Sequence, residues 1–271
     1  MAIKTVNSLS GGRTSSYMAC HYPADYNIFA LIMIEDTSCS PKDKGLVDAV
    51  SEKIGREFIA TAEDDRTLKL MLDLEQKIGS EITWLFGQTF DQVIENRKRL
   101  PNRFWRFCTQ EMKMKPIFDW WVDNFKEPIE MRMGYRYDEI ERAERFTEEM
   151  KVIVGRTKSG NRNRWGYIKW RTGNFPLIED KVMHHRVKQW SLTSELKFPE
   201  DSNCVGCFWK ADQQLRKNWE TNPEKMQWFA DRELKGTWKN GVTYQEIKGM
   251  YLQSEFQFGT GAGCQAGYCT D

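Results

Sequence analysis

Ser8-Leu9-Ser10-Gly11-Gly12-Arg13-Thr14-Ser15-Ser16 follows directly on the short apolar-alternating segment Ile3 to Val6. The order reads as strand, glycine turn, helix start. Two glycines let the backbone bend sharply and approach a ligand without Cβ clashes. The amides of the helix N-terminus point outward, and the helix dipole favours an anion there. Hydroxyls of Ser10, Thr14, Ser15 and Ser16 add donors. The stretch reads as a phosphate cradle, with Ser8, Ser10, Gly11, Gly12, Arg13, Thr14 and Ser15 as its candidate residues. It is not of the Walker type, because the Gly-Lys-Ser/Thr ending is absent.

Working outward, the first half alternates strand and helix signals. Ile28 to Ile34 is a continuous apolar run, as expected of a strand buried on both faces. Ser40 and Pro41 read as an N-cap and first-turn pair, and Leu46, Val47, Val50 and Ile54 follow at helical spacing to a stop at Gly55. Glu57 to Ala60 reads as a third strand. Leu68 to Ile78, Phe90 to Arg99 and a stretch opening at Thr109 read as helices. Ile129 to Gly134 reads as a further strand. Repeated β-α-β order predicts an α/β, Rossmann-like fold: a mostly parallel twisted sheet with helices on both faces. Ligands of such sheets sit at the carboxyl ends of strands. The glycine loop, Glu35-Asp36-Thr37 and Gly134-Tyr135-Arg136 all follow strands, so they are expected on one edge.

From about residue 151 the character changes. The division predicted is 1–150 for the nucleotide-binding core and 151–271 for a basic insertion followed by a helical, cysteine-bearing region packed on that core. Val152 to Val154 and Tyr167 to Trp170 read as a hairpin around a Ser-Gly-Asn turn.

Composition bounds the rest. The 271 residues carry 40 Lys and Arg against 39 Asp and Glu, a net charge of +1, so anion or nucleic-acid binding must come from local patches. No run approaches the roughly 18 apolar residues that span a bilayer. The N-terminus enters a strand at once, which leaves no room for a signal peptide. Seven cysteines in such a chain favour metal or thiol chemistry over disulfides. A cytoplasmic protein without membrane partners is expected.

Three further constellations carry chemistry. Cys204-Val205-Gly206-Cys207, with Cys108 and the tail pair Cys264 and Cys269, supplies thiolates for zinc or an iron–sulfur cluster. The bland alternative is that Cys108 is a small buried hydrophobe. Cys39 follows a strand end beside a helix start that would lower its pKa, so it is a candidate reactive thiol. Gly134 to Arg142 sets Arg136 and Arg142 among Asp138, Glu139 and Glu141. Arginine forks suit pyrophosphate oxygens and carboxylates suit a magnesium ion, although the same run is also a plain solvated helix of charge pairs. The candidates for catalysis are Arg136, Glu139, Arg142 and Cys39. Basic residues interleave with aromatics twice, at Arg97 to Lys115 and at Arg156 to Arg171, where Trp165, Tyr167 and Trp170 stand among them; this suits unpaired or flipped nucleotides.

Taken in order, these pieces resemble the PAPS reductase-like branch of the adenine-nucleotide alpha-hydrolase superfamily, which includes the N-type (PP-loop) ATP pyrophosphatases. Ser10 to Ser15 resembles the pyrophosphate loop in the Arg-Thr variant of bacterial and phage members, with Thr14 at the usual Asp. Glu63-Asp64-Asp65-Arg66-Thr67, Arg106-Phe107-Cys108-Thr109 through Lys113 to Pro116, Gly134 to Arg142, and Asn203 to Lys210 with Pro223, Trp228 and Glu233 resemble its later segments. The resemblance implies an enzyme that binds ATP or PAPS, with Asp36, Thr37 and Lys113 joining the loop around the nucleotide and its Mg2+. It implies a 4Fe–4S cluster, or zinc, on Cys108, Cys204, Cys207 and one of Cys264 and Cys269. Relatives adenylate a substrate oxygen, release pyrophosphate, and displace AMP with sulfur, which brings in a nucleic-acid acceptor and a sulfur-donor protein; a homodimer is also expected. The reductase subfamily instead attacks the sulfur of PAPS with a thiolate of a Glu-Cys-Gly-x-His tail. The tail here is Gly267-Tyr268-Cys269-Thr270-Asp271, without His.

Overall fold

The computed structural model describes residues 3–157, 160, 162–200 and 202–252. Its first elements are β1 (Thr5–Leu9), α1 (Arg13–His21), β2 (Tyr26–Ala30), β3 (Met33–Ile34), α2 (Lys44–Ile54), β4 (Ala60–Thr61), α3 (Asp65–Ile78), β5 (Ile82–Leu85) and α4 (Phe90–Arg97). Then come α5 (Phe107–Thr109), a π-helical turn (Gln110–Met114), α6 (Lys115–Asn124), β6 (Ile129–Met133) and α7 (Ile140–Glu144). The remainder is β7 (Glu149–Arg156), β8 (Asn163–Lys169), β9 (Arg171–Asn174), α8 (Pro176–Glu179), α9 (His184–Thr193), α10 (Asp212–Thr221), α11 (Pro223–Asp231) and α12 (Tyr244–Lys248).

The main sheet has the order β5-β2-β1-β6-β9, and all its pairings are parallel. The expected α/β architecture with a parallel central sheet is therefore present. From β1 the chain first builds outward through β2 to β5, then returns to the other side of β1 with β6 and β9. The strand order reverses between β1 and β6, and the crevice at such a switch point is where open α/β sheets receive ligands.

The Ile28–Ile34 run is buried throughout, as expected, but it is not one strand. The chain leaves the main sheet after Ala30. Met33 and Ile34 pair antiparallel with Thr61 and Ala60 instead, and Ile32 O accepts Thr61 Oγ1 at 2.8 Å. The third strand is thus two residues in a side ladder. Asp43, not Ser40, caps α2 by accepting from Leu46 N; Cys39 and Ser40 are taken up in a short 3-10 turn capped by Asp36. Gly55 ends α2 in the left-handed region at φ 66°, as read. Short β5 and polar β9 (Arg-Thr-Gly-Asn) were not foreseen, because neither carries a long apolar or alternating pattern.

Three apolar clusters form the interior, and each draws on both sides of residue 150. Leu177, Val182, Val187 and Leu196 pack with Leu9, Phe29 and Met71. Trp228, Phe229, Trp238 and Tyr244 pack with Ile34, Ala60 and Phe90. Trp170 packs with Phe118, Trp121 and Met131. The later part of the chain is built into the same interior as the first. No helix among the described residues is long and apolar enough to cross a membrane.

Candidate functional site

The loop after β1 stands at the switch point. Gly11 has φ 72°, and a Cβ there would lie 2.2 Å from Thr67 Cγ2, so both conformation and space require glycine. Gly12 is the N-cap of α1 in extended conformation, and no side chain caps the helix. Ser15 and Ser16 turn their hydroxyls inward: Ser15 Oγ takes the hydrogen of Ser10 N at 3.2 Å, and Ser16 Oγ donates to Gly12 O at 2.9 Å. The first turn of α1 carries no acidic residue. It is therefore an uncapped helix N-terminus without a competing anion. Ser8 lies one step earlier, buried inside β1 between Ile28 and Met133.

The loop is also lined by chain far away in sequence. Arg13 Nη1 donates to Glu200 O at 3.2 Å, and its guanidinium lies 5.8 Å from the Phe198 ring centre. A Cβ on Gly12 would meet Ser202 Oγ at 2.8 Å. Thr67 at the start of α3, and Phe198, Glu200 and Ser202 from the later chain, thus flank the two glycines. The sequence carried no signal for the last three, since nothing local marks Phe198 to Ser202.

β6 brings the second component. Gly134 sits so close under α1 that a Cβ would be 3.1 Å from both Ser15 N and Ser15 Cα. This contact sets Arg136 beside the loop, where Nη1 donates to Thr14 Oγ1 at 3.1 Å. The expected meeting of the glycine loop and the 134–136 segment on one edge holds. The guanidinium is 6% exposed and ion-paired: Nε lies 3.1 Å from Asp138 Oδ1 and Nη1 lies 3.2 Å from Glu139 Oε2. Glu139 Oε1 accepts Arg142 Nη1 at 2.7 Å, and Arg142 covers the Tyr135 ring at 4.3 Å. Asp138 Oδ1 also accepts His184 N at 3.1 Å. Burial opposes ionisation of Asp138, but the hydrogen bonds and charge of Arg136 prevail and hold its carboxyl below the usual range. Asp138, within the motif yet passed over as a candidate, is the residue that aims the Arg136 fork. In this arrangement both carboxylates are engaged by arginine. Glu139 and Arg142 position Arg136.

Asp36 and Thr37 follow β3. Asp36 accepts Ser38 N at 2.9 Å and Ser38 Oγ at 2.6 Å, and these bonds lower its pKa. Cys39 departs from expectation. It is 2% exposed within an apolar cluster, and burial pushes its thiol up to about 11. With α2 beginning only at Lys44, no helix N-terminus acts on it. Cys39 is a core residue here and is withdrawn as a catalytic candidate. Lys113 Nζ lies 3.5 Å from Glu63, whose side chain is fully buried. Burial raises the Glu63 carboxyl against the pull of Lys113, Lys225 and Lys210.

Cys204 to Cys207 forms a tight turn, with Cys207 N on Cys204 O at 3.0 Å. Its carbonyls are held from several sides: Val205 O accepts Asn218 Nδ2 and Lys210 Nζ, and Gly206 O accepts Tyr244 Oη at 2.7 Å. A Cβ on Gly206 would stand 2.3 Å from the Phe229 ring, which explains the glycine. Burial first, then the charge of Cys207, raises the Cys108 thiol to about 11; burial first, then the charges of Glu63 and Cys207, raises the Cys204 thiol well above its usual range. Among the described residues no three His, Cys, Asp or Glu side chains compose a metal site. Cys264 and Cys269 lie outside the described residues.

The chain matches no family model, and no curated protein matches it.

Proposed function

We propose that this chain binds an adenine nucleotide, ATP in the first place, with its phosphates against the Gly11–Ser15 loop, and that it is an enzyme acting on the phosphate end. One observation carries the reading: an uncapped helix N-terminus at the carboxyl end of the central strand, at the sheet's switch point, tied to a buried arginine through Thr14 and Arg136. Backbone amides and a pre-oriented guanidinium are what a departing pyrophosphate requires, since neither must reorganise as negative charge develops. The resemblance to PP-loop enzymes supports adenylation. An acceptor oxygen attacks the α-phosphorus and gives up its proton, the bond to the bridging oxygen breaks, and its electron pair leaves with pyrophosphate. A thiolate-level sulfur from a donor then attacks the carbon that bears the adenylated oxygen; the carbon–oxygen bond breaks and its electron pair leaves with AMP.

Calorimetry with MgATP and with PAPS, together with pyrophosphate release, tests this. Binding of ATP with slow pyrophosphate release and its loss in Gly12→Val is the expected result, because a side chain there drives against Ser202 Oγ, 2.8 Å from a Cβ, and displaces the loop that the phosphates approach. Thiol-dependent sulfite release from PAPS would assign the reductase reaction instead. A folded chain that binds neither nucleotide would overturn the reading.

A further inference from the structure

β7 and β8 form a two-stranded ribbon that stands apart from the main sheet. Its register pairs Lys151 with Tyr167, Ile153 with Trp165 and Glu149 with Lys169. Directly opposite residues of an antiparallel pair share a face, and side chains alternate along each strand. Trp165, Tyr167 and Lys169 therefore stand in single file on one face, about 6.8 Å apart, with Lys151 and Ile153 across from them. The other face is the one turned to the body. Met150 is buried there in the Trp170 cluster and accepts a hydrogen bond from Gln110 Nε2 through Sδ at 3.3 Å.

The outward face has no apolar reason to look as it does. Tyr167 is 66% exposed and Trp165 52%, and Lys151 Nζ lies 5.2 Å from the Trp165 ring centre. A bulge at Ile153/Gly155 twists the ribbon before its end, where exposed Arg156, Arg162 and Arg164 gather. Between residues 148 and 170 there are six Lys and Arg and two acids, in a chain whose net charge is only +1. Free ring faces flanked by cations take up a polyanion that itself offers flat π-faces. Bases in a duplex hide those faces, whereas unpaired bases present them.

We propose that this ribbon is a docking arm for unpaired nucleic acid, its bases stacking on Trp165 and Tyr167 and its phosphates meeting Lys151 and the Arg156, Arg162 and Arg164 cluster at the ribbon's end. The assignment does not rest on the nucleotide reading, because it uses none of the same residues.

Fluorescence anisotropy of the full chain with labelled oligothymidylate, oligouridylate and a duplex tests it. Both single strands are expected to bind, with relative affinity reporting on the sugar, and the duplex to bind more weakly. Trp165→Ala and Tyr167→Ala are each expected to weaken single-strand binding roughly tenfold, and Arg164→Gln to flatten its salt dependence. These side chains are exposed, so the variants keep the wild-type circular dichroism and ATP binding. Three results would overturn the proposal: single-strand affinity unchanged in Trp165→Ala/Tyr167→Ala, an oligomer of the free chain that the double variant dissociates, or anionic vesicles competing fully with the oligonucleotide.

Discussion

Arg136 Nη1 and Thr14 Oγ1 lie 3.1 Å apart, which joins the end of the fourth sheet strand to the first turn of the first helix. That single contact spans the switch point of the sheet. It depends on Gly134, which lets α1 cross directly above it, and on the carboxylates that hold the guanidinium still.

Arg136→Met is expected to lower stability by about 3–5 kcal/mol, since it leaves Glu139 and Asp138 with half of their compensation in a buried setting. Denaturant unfolding measures this. Arg136→Met/Glu139→Gln removes an opposite charge as well and is expected to recover part of the loss; no recovery would mean that the ion pairs are energetically idle.

Gly11→Ala meets both an unfavourable φ and the Thr67 methyl. A loss of about 2 kcal/mol or more is expected. Thr67→Ser deletes the clashing Cγ2 and should relieve the packing part only, leaving the backbone part. A double variant as unstable as Gly11→Ala would show that strain in the backbone accounts for the whole effect.

Acid should weaken the Asp138–His184 contact region in two steps. Burial, aided by Arg136, lowers the His184 pKa, so the fold favours its neutral ring; that contribution is complete above about pH 6.5 and is lost as pH falls through the lowered value. The Asp138 pKa is also lowered, so its contribution is complete above about pH 3.9 and is lost on further acidification. Thermal midpoints across this range read both steps. His184→Asn should abolish the upper one while leaving the lower, and an unchanged profile would remove histidine from the account.

Gly206→Ala drives a methyl into the Phe229 ring and is expected to cost about 1–3 kcal/mol. The cysteine turn would shift with it. Iron, sulfide and zinc analysis of anaerobically purified chain tests the metal that the resemblance implies: metal in the wild type, lost in Cys204→Ser, is the expected result, and a metal-free wild type would remove it. Iron–sulfur protein is coloured, whereas zinc with its filled d shell is not.

Cys39 should resist thiol reagents in the native state and react on unfolding, because burial keeps it protonated. Rapid native labelling would contradict the packing described.

Local chemistry was readable along the chain. Ser10 to Ser16 announced a glycine turn and helix start because φ-permissive glycines and uncapped amides act within a few residues. Gly55 announced the end of α2, and Arg136 the strand-end arginine, for the same reason. The apolar run at Ile28–Ile34 announced burial, since burial follows from side-chain type. Where that run leaves the sheet was not legible: a strand was read over Glu57 to Ala60, but nothing in it signalled that only Ala60–Thr61 pairs, antiparallel, with Met33–Ile34.

What the amino-acid order determined by itself was therefore the parallel α/β plan, the glycine turn into α1 and the buried runs, all set by short-range sterics and hydrophobic periodicity. Tertiary structure alone decided which chain segments flank the glycines, that Arg136 reaches Thr14, and that Cys39 is a core thiol. Those outcomes depend on contacts between residues more than fifty positions apart or on burial by distant chain, and a local pattern holds no record of them.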